Sequence, residues 1–131
     1  MSVDKPEVDF PEGAPPKDLE ITDIWEGDGK VAGAGDTVEV HYVGVAFSSG
    51  EEFDASWSRG EPLRFKLGIG QVISGWDQGL VGQTVGSRVL LVIPPKDAYG
   101  SAGQSQAGIK GTDTLVFVVD IISAVSPSSA S

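Results

Sequence analysis

His41 is the only imidazole in the chain, and there is no cysteine. Nucleophilic chemistry would need such a base beside an exposed hydroxyl. His41 instead sits inside Val38-Glu39-Val40-His41-Tyr42-Val43, an alternating run that puts it on the face opposite Tyr42. No Gly-x-Ser-x-Gly turn occurs, so this histidine reads as structural. Metal binding lacks its ligands too, because the carboxylates are scattered and no His pair exists. Gly68-Ile69-Gly70 resembles a scrap of a dinucleotide fingerprint, but no parallel β-α-β context follows it. What recurs is large rings placed where strands meet loops: Tyr42, Phe53, Phe65, Trp76, Tyr99 and Phe117. These residue types build a hydrophobic core, and they build an apolar ligand pocket equally well. Patterning leaves both readings open.

The chain has 131 residues, the size of one domain at roughly 100–200 residues each. Its net charge of −10 argues against a polyphosphate partner, which needs clustered cations. The 18 glycines and 8 prolines exceed the usual combined share of about 12% and point to a turn-rich globular domain. No apolar run has the length of a membrane span, and Met1-Ser2-Val3-Asp4-Lys5 lacks the apolar stretch of a signal peptide. A cytoplasmic protein is the expectation.

Charge is uneven: residues 1–30 carry nine acids and three bases. Up to Lys17 the chain holds Pro6, Pro11, Pro15 and Pro16, with Val3, Val8 and Phe10 its main apolar content. Residues 1–18 therefore read as an arm, disordered or laid along the domain surface in an extended polyproline conformation. Residues 19–124 form the domain, and the Ser-rich stretch 125–131 a loose tail.

Within the domain, β signals dominate. Leu19–Trp25 alternates and stops at Gly27-Asp28-Gly29. Val38, Val40 and Tyr42 share one face of a second strand, and Ser48-Ser49-Gly50 reads as a hairpin loop leading to Phe53 and Asp54. Leu63, Phe65 and Leu67 alternate with cations, while Arg88–Ile93 and Thr114–Ile122 are apolar enough to be central strands. One stretch, Ser74 to Val81, invites a helix: Ser74 is placed to cap it, Asp77 suits its dipole, and Trp76 and Leu80 face the same way. Two glycines weaken its propensity, so packing must hold it. The predicted class is α+β, a bent antiparallel sheet of about five to six strands wrapped around one short α-helix.

The order Val40-His41-Tyr42, Phe53-Asp54-Ala55-Ser56, Phe65-Lys66-Leu67-Gly68, Val72-Ile73-Ser74-Gly75-Trp76-Asp77-Gln78-Gly79-Leu80, Ala98-Tyr99-Gly100 and Leu115-Val116-Phe117 resembles the FKBP-type peptidyl-prolyl cis-trans isomerases. The resemblance spans about Ile21 to Ile122. It implies a pocket between helix and sheet with Trp76 as floor, and Tyr42, Asp54, Trp76, Tyr99 and Phe117 as the residues acting on substrate. Phe53, Leu63, Phe65, Gln71, Val72, Ile73 and Ile109 would bind it, with Phe65 and Phe117 open to a core role as well. Ile73 would offer its backbone N–H, and Tyr99 its hydroxyl, to carbonyls beside the proline. Arg59, five residues after Asp54, would pair with it at a polar rim near Tyr42.

Two departures stand out. Leu63 replaces an aromatic common in the family, and the segment from Gly100 to Thr114 is one residue longer than usual and lacks the family's His and Ile-Pro-Pro run. Trp57 would be either an exposed partner contact or a shield over a local patch.

The implied reaction, rotation about an X–Pro bond, requires no metal and no cofactor. The implied partners are proline-containing polypeptides and macrolides such as rapamycin, with no nucleic acid, no membrane, and the chain acting as a monomer. A module that holds peptides with little catalysis is the competing reading, kept open by Leu63 and the altered segment. The arm's Phe10-Pro11 is itself an aromatic–proline step such a pocket could admit.

Overall fold

Residues 115–121 are buried without a break, as expected of a strand covered on both faces. That strand, β6 (Leu115–Val125), lies at the centre of the sheet. The computed structural model describes residues 18–47, 52–70, 72–98 and 114–125, the side chains of residues 58 and 59 aside. The arm to residue 17, the Ser48-Ser49-Gly50 loop and the tail from residue 126 lie outside the described residues.

The elements in order are β1 (Glu20–Trp25), β2 (Thr37–Ala46), β3 (Glu52–Ala55), α1 (Ser56–Arg59), β4 (Leu63–Lys66), α2 (Ser74–Leu80), β5 (Arg88–Ile93), a 3-10 turn (Pro95–Asp97) and β6. The sheet runs β1-β5-β6-β2-β3, with β4 also pairing β2, and all pairs are antiparallel. β3 and β4 share one edge of β2: β4 takes Thr37 to Val40, and β3 takes Val43 to Val45. α1 fills the break between them. This is the predicted α+β architecture, with α1 as an addition.

The alternation predicted for β2 and β4 holds in detail. Val38, Val40 and Tyr42 are buried, as are Phe65 and Leu67, while Arg64 and Lys66 face water. Together with Val89, Leu91, Ile93, Phe117 and Val119 they form the main core beneath α2, from which Trp76 and Leu80 point inward.

The cap of α2 differs from expectation. Ile73 occupies the N-cap position with extended backbone, and Ser74 is already helical. A first-turn hydroxyl lies beyond the amides a cap must reach; that of Ser74 donates to Asp97 Oδ1 at 3.1 Å instead. Asp77 does lie in the first turn, but its carboxylate also accepts from the N–H of Gly68 at 2.8 Å and of Gly70 at 2.9 Å. Both glycines have positive φ, 81° and 83°, so this loop can wrap around a single carboxylate. It leads directly into Val72 and Ile73.

The two helix glycines set how closely α2 approaches the sheet. A Cβ at Gly75 would lie 2.6 Å from Ile93 Cγ2, and one at Gly79 2.6 Å from Leu91 Cδ2. Gly75→Ala is therefore expected to destabilise by about 1–3 kcal/mol through overpacking, despite a helix-propensity gain of about 1 kcal/mol. Denaturant unfolding of Gly75→Ala, Ile93→Ala and the double variant checks this. The double should be more stable than the two single losses added together; simple additivity would mean the contact is not the cause.

Candidate active site

Gly44 of β2 sits opposite Phe117 of β6 and Asp54 of β3. A Cβ there would come within 2.6 Å of Phe117 Cε1 and 2.8 Å of Phe53 Cζ. The missing side chain makes room for both rings, which meet edge-to-face at 5.5 Å. Trp76 enters from α2 and meets Tyr42 edge-on at 4.9 Å and Phe117 edge-on at 5.2 Å. Edge-to-face geometry adds about 0.5–1.5 kcal/mol per pair beyond area burial. The rings therefore hold one another in place.

Over them opens a cavity of about 400 Å³, lined by Tyr42, Phe53, Asp54, Leu63, Val72, Ile73, Trp76 and Phe117. That volume suits a small apolar group with a few polar contacts. Asp54 is the sole carboxylate in the lining, and Tyr42 Oη donates to its Oδ2 at 2.5 Å. Trp76 Nε1 is the one buried side-chain polar atom without a hydrogen-bond partner among the described residues.

Of the residues expected at the site, eight thus come together. Phe65 does not line the cavity; it is buried and tilts against Trp76 at 5.7 Å, so it backs the floor as core. Phe117 belongs to both wall and core. Gln71, Tyr99, Ile109 and the side chain of Arg59 lie outside the described residues, and so does the segment 99–113.

Behind the cavity wall, on the other face of β2, the Tyr42 backbone N–H donates to the buried Ser56 Oγ at 2.7 Å, and His41 Nδ1 lies 2.8 Å from the same oxygen. Ser56 thereby ties α1 to β2 beneath Tyr42. Sequence reasoning missed this role, because a serine after a strand carries no periodic signal. Trp57 stacks on the His41 ring at 4.9 Å and is half-buried, which makes it a shield. Among the described residues, no group of three His, Cys, Asp or Glu side chains could hold a metal, and no helix is long and apolar enough to cross a membrane.

Residues 29–122 match the family model described as FKBP-type peptidyl-prolyl cis-trans isomerase. The chain is 65% identical over 122 residues to an FK506-binding protein of Streptomyces anulatus, covering 93% of this chain and 98% of that one. It is 48% identical over 122 residues to a probable FK506-binding protein of Corynebacterium glutamicum, covering 93% and 100% respectively. The crystal structure of AtFKBP13 superposes with a TM-score of 0.75 at 36% identity, covering 83% of this chain and 94% of that one. A ring-lined cavity over a bent antiparallel sheet thus coincides with agreement along nearly the whole sequence: the chain belongs to the FKBP-type peptidyl-prolyl cis-trans isomerase family and catalyses that isomerisation.

Proposed function

We propose that the cavity takes the proline ring of an X–Pro segment against Trp76, and that catalysis comes from holding the twisted amide in this apolar surrounding. The observation that carries the reading is a floor of interlocked rings with a single carboxylate, Asp54, at its edge. Rotation about the amide has a barrier of about 18–20 kcal/mol because it breaks resonance. The twisted amide is less polarised than the planar one, so leaving water for an apolar pocket favours it relative to the ground state. Every 1.36 kcal/mol removed from the barrier accelerates rotation about tenfold, so a few modest contributions suffice.

In this reading Ile73 donates its backbone N–H to a carbonyl beside the proline, and the Tyr42–Asp54 hydrogen bond fixes the rim that receives the chain. Tyr99, Gln71, Ile109 and an Asp54–Arg59 pair complete the proposed site. The clients are proline-containing polypeptides during folding, and macrolides of the rapamycin type would fill the same cavity. The names of the Streptomyces anulatus and Corynebacterium glutamicum relatives support that last point.

A refolding assay limited by proline isomerisation tests the reading; no acceleration at micromolar enzyme would overturn it. Asp54→Val should weaken rapamycin binding in calorimetry by about 1–3 kcal/mol, the size of a lost hydrogen-bond partner. Its far-UV circular dichroism should not change. Loss of the fold would instead make Asp54 a structural residue.

A further inference from the structure

One edge of β2 is shared by two strands, and the break between them falls beside the cavity. β4 pairs with β2 as far as Val40 and β3 takes over at Val43, so neither strand pairs with His41 or Tyr42. The Val43–Ala55 pairing puts residue 56 opposite Tyr42, but β3 has ended there and α1 begins. The Ser56 side chain stands in for the lost strand. The Tyr42 backbone N–H donates to Ser56 Oγ at 2.7 Å, and the same hydroxyl lies 3.3 Å from the Tyr42 carbonyl oxygen. One side chain thus meets both backbone groups that an antiparallel partner would have paired. Ser56 is 0% exposed, so solvent cannot take its place. His41 Nδ1 lies 2.8 Å from the hydroxyl, and the His41 ring is itself held by its stack on Trp57.

We propose that Ser56 is a positioning residue for the isomerisation, setting the Tyr42 backbone so that the phenol meets Asp54 at the cavity rim. One short segment grips Tyr42 at both ends. Asp54 Oδ2 accepts from the Tyr42 hydroxyl at 2.5 Å, and two residues later Ser56 holds the Tyr42 backbone. On its other side Tyr42 pairs with Val119 of β6. Ser56 does not line the cavity, so it acts on the reaction only through Tyr42. Small displacements of a site group are costly: about 1 Å can lose about a hundredfold in rate. The inference rests on the reading of Tyr42 and Asp54 as residues of the site.

The chain has two tyrosines, so tyrosine isotope-labelled at Cζ gives two NMR signals, and Tyr42→Phe identifies that of Tyr42. Its position reports the hydrogen bond to Asp54, and Asp54→Val marks where it falls without that bond. In Ser56→Ala the signal should move toward the Asp54→Val position, and kcat/KM should fall about tenfold. Adding Ser56→Ala to Tyr42→Phe should cost little beyond Tyr42→Phe alone, since both changes undo one arrangement. An unmoved signal in folded Ser56→Ala would overturn the proposal. So would losses in kcat/KM that simply multiply, which would make Ser56 structural. A moved signal with parental kcat/KM in both Ser56→Ala and Tyr42→Phe would overturn it as well, through the reading of Tyr42 rather than the grip on it. Should Ser56→Ala not fold, Ser56→Cys decides by the same results, because a thiol is close in size but hydrogen-bonds weakly.

Discussion

Trp76→Ala should abolish measurable acceleration of proline-limited refolding and lower stability by about 3–5 kcal/mol, the usual cost of truncating a buried tryptophan. Trp76 is 4% exposed and touches Tyr42, Phe65 and Phe117 at once. Its removal unsupports both the wall and the core beneath it. Because a fall in stability could by itself explain lost activity, Trp76→Leu separates the two effects. Leucine restores apolar volume but gives a proline ring no flat surface. We expect native circular dichroism with kcat/KM reduced about tenfold, or 1.4 kcal/mol of transition-state stabilisation. Undiminished kcat/KM in that folded variant would remove Trp76 from the site.

The second large effect lies on the opposite face. Arg88 and Asp120 form a bidentate pair, Nε to Oδ1 at 2.7 Å and Nη2 to Oδ2 at 2.8 Å, with side chains only 10% and 13% exposed. The Arg88 guanidinium also lies 4.3 Å above the Trp25 ring. Asp120→Ala takes the bidentate carboxylate away from Arg88 in that environment and should cost about 3–5 kcal/mol. Replacing both members, as Arg88→Met with Asp120→Leu, should cost less than either single change, because both charges leave the buried site together. Denaturant midpoints report both results. A loss below about 1 kcal/mol for Asp120→Ala would show the pair behaving as a solvated surface bridge. Since neither residue lines the cavity, kcat/KM of the folded variants should stay at the parent value.

The strands were legible because alternation is a local record of burial. Val38, Val40 and Tyr42, or Phe65 and Leu67, declare their shared face with no help from the rest of the chain. The position of β6 could be read from an unbroken apolar run. Three things could not be read this way. α1 spans four residues, Ser56–Arg59, less than the length over which a helical period repeats. Gly75 and Gly79 look like weaknesses in a helix until Ile93 and Leu91 are seen pressed against them. The hold of Asp77 on Gly68 and Gly70 joins residues whose pairing depends on a turn that propensity does not specify. The site itself was not decided by residue types, since rings suited a core as well as a pocket. Resemblance along the chain named its residues, and the fold brought together the eight that surround the cavity while moving Phe65 behind it.

The middle of the sheet is occupied by its last strand. β5 and β2 do not pair with each other; each pairs with β6, through Arg88–Ile93 on one side and Thr37–Ala46 on the other. During synthesis, then, most of this chain emerges from the ribosome with its two inner strands lacking the neighbour that joins them, and with Phe117 absent from the ring cluster. Domains tend to fold as units once their parts are available, and pairings so distant in sequence close slowly. This prolyl isomerase must itself wait for residues 115–125 before the ring cluster beneath its cavity can close.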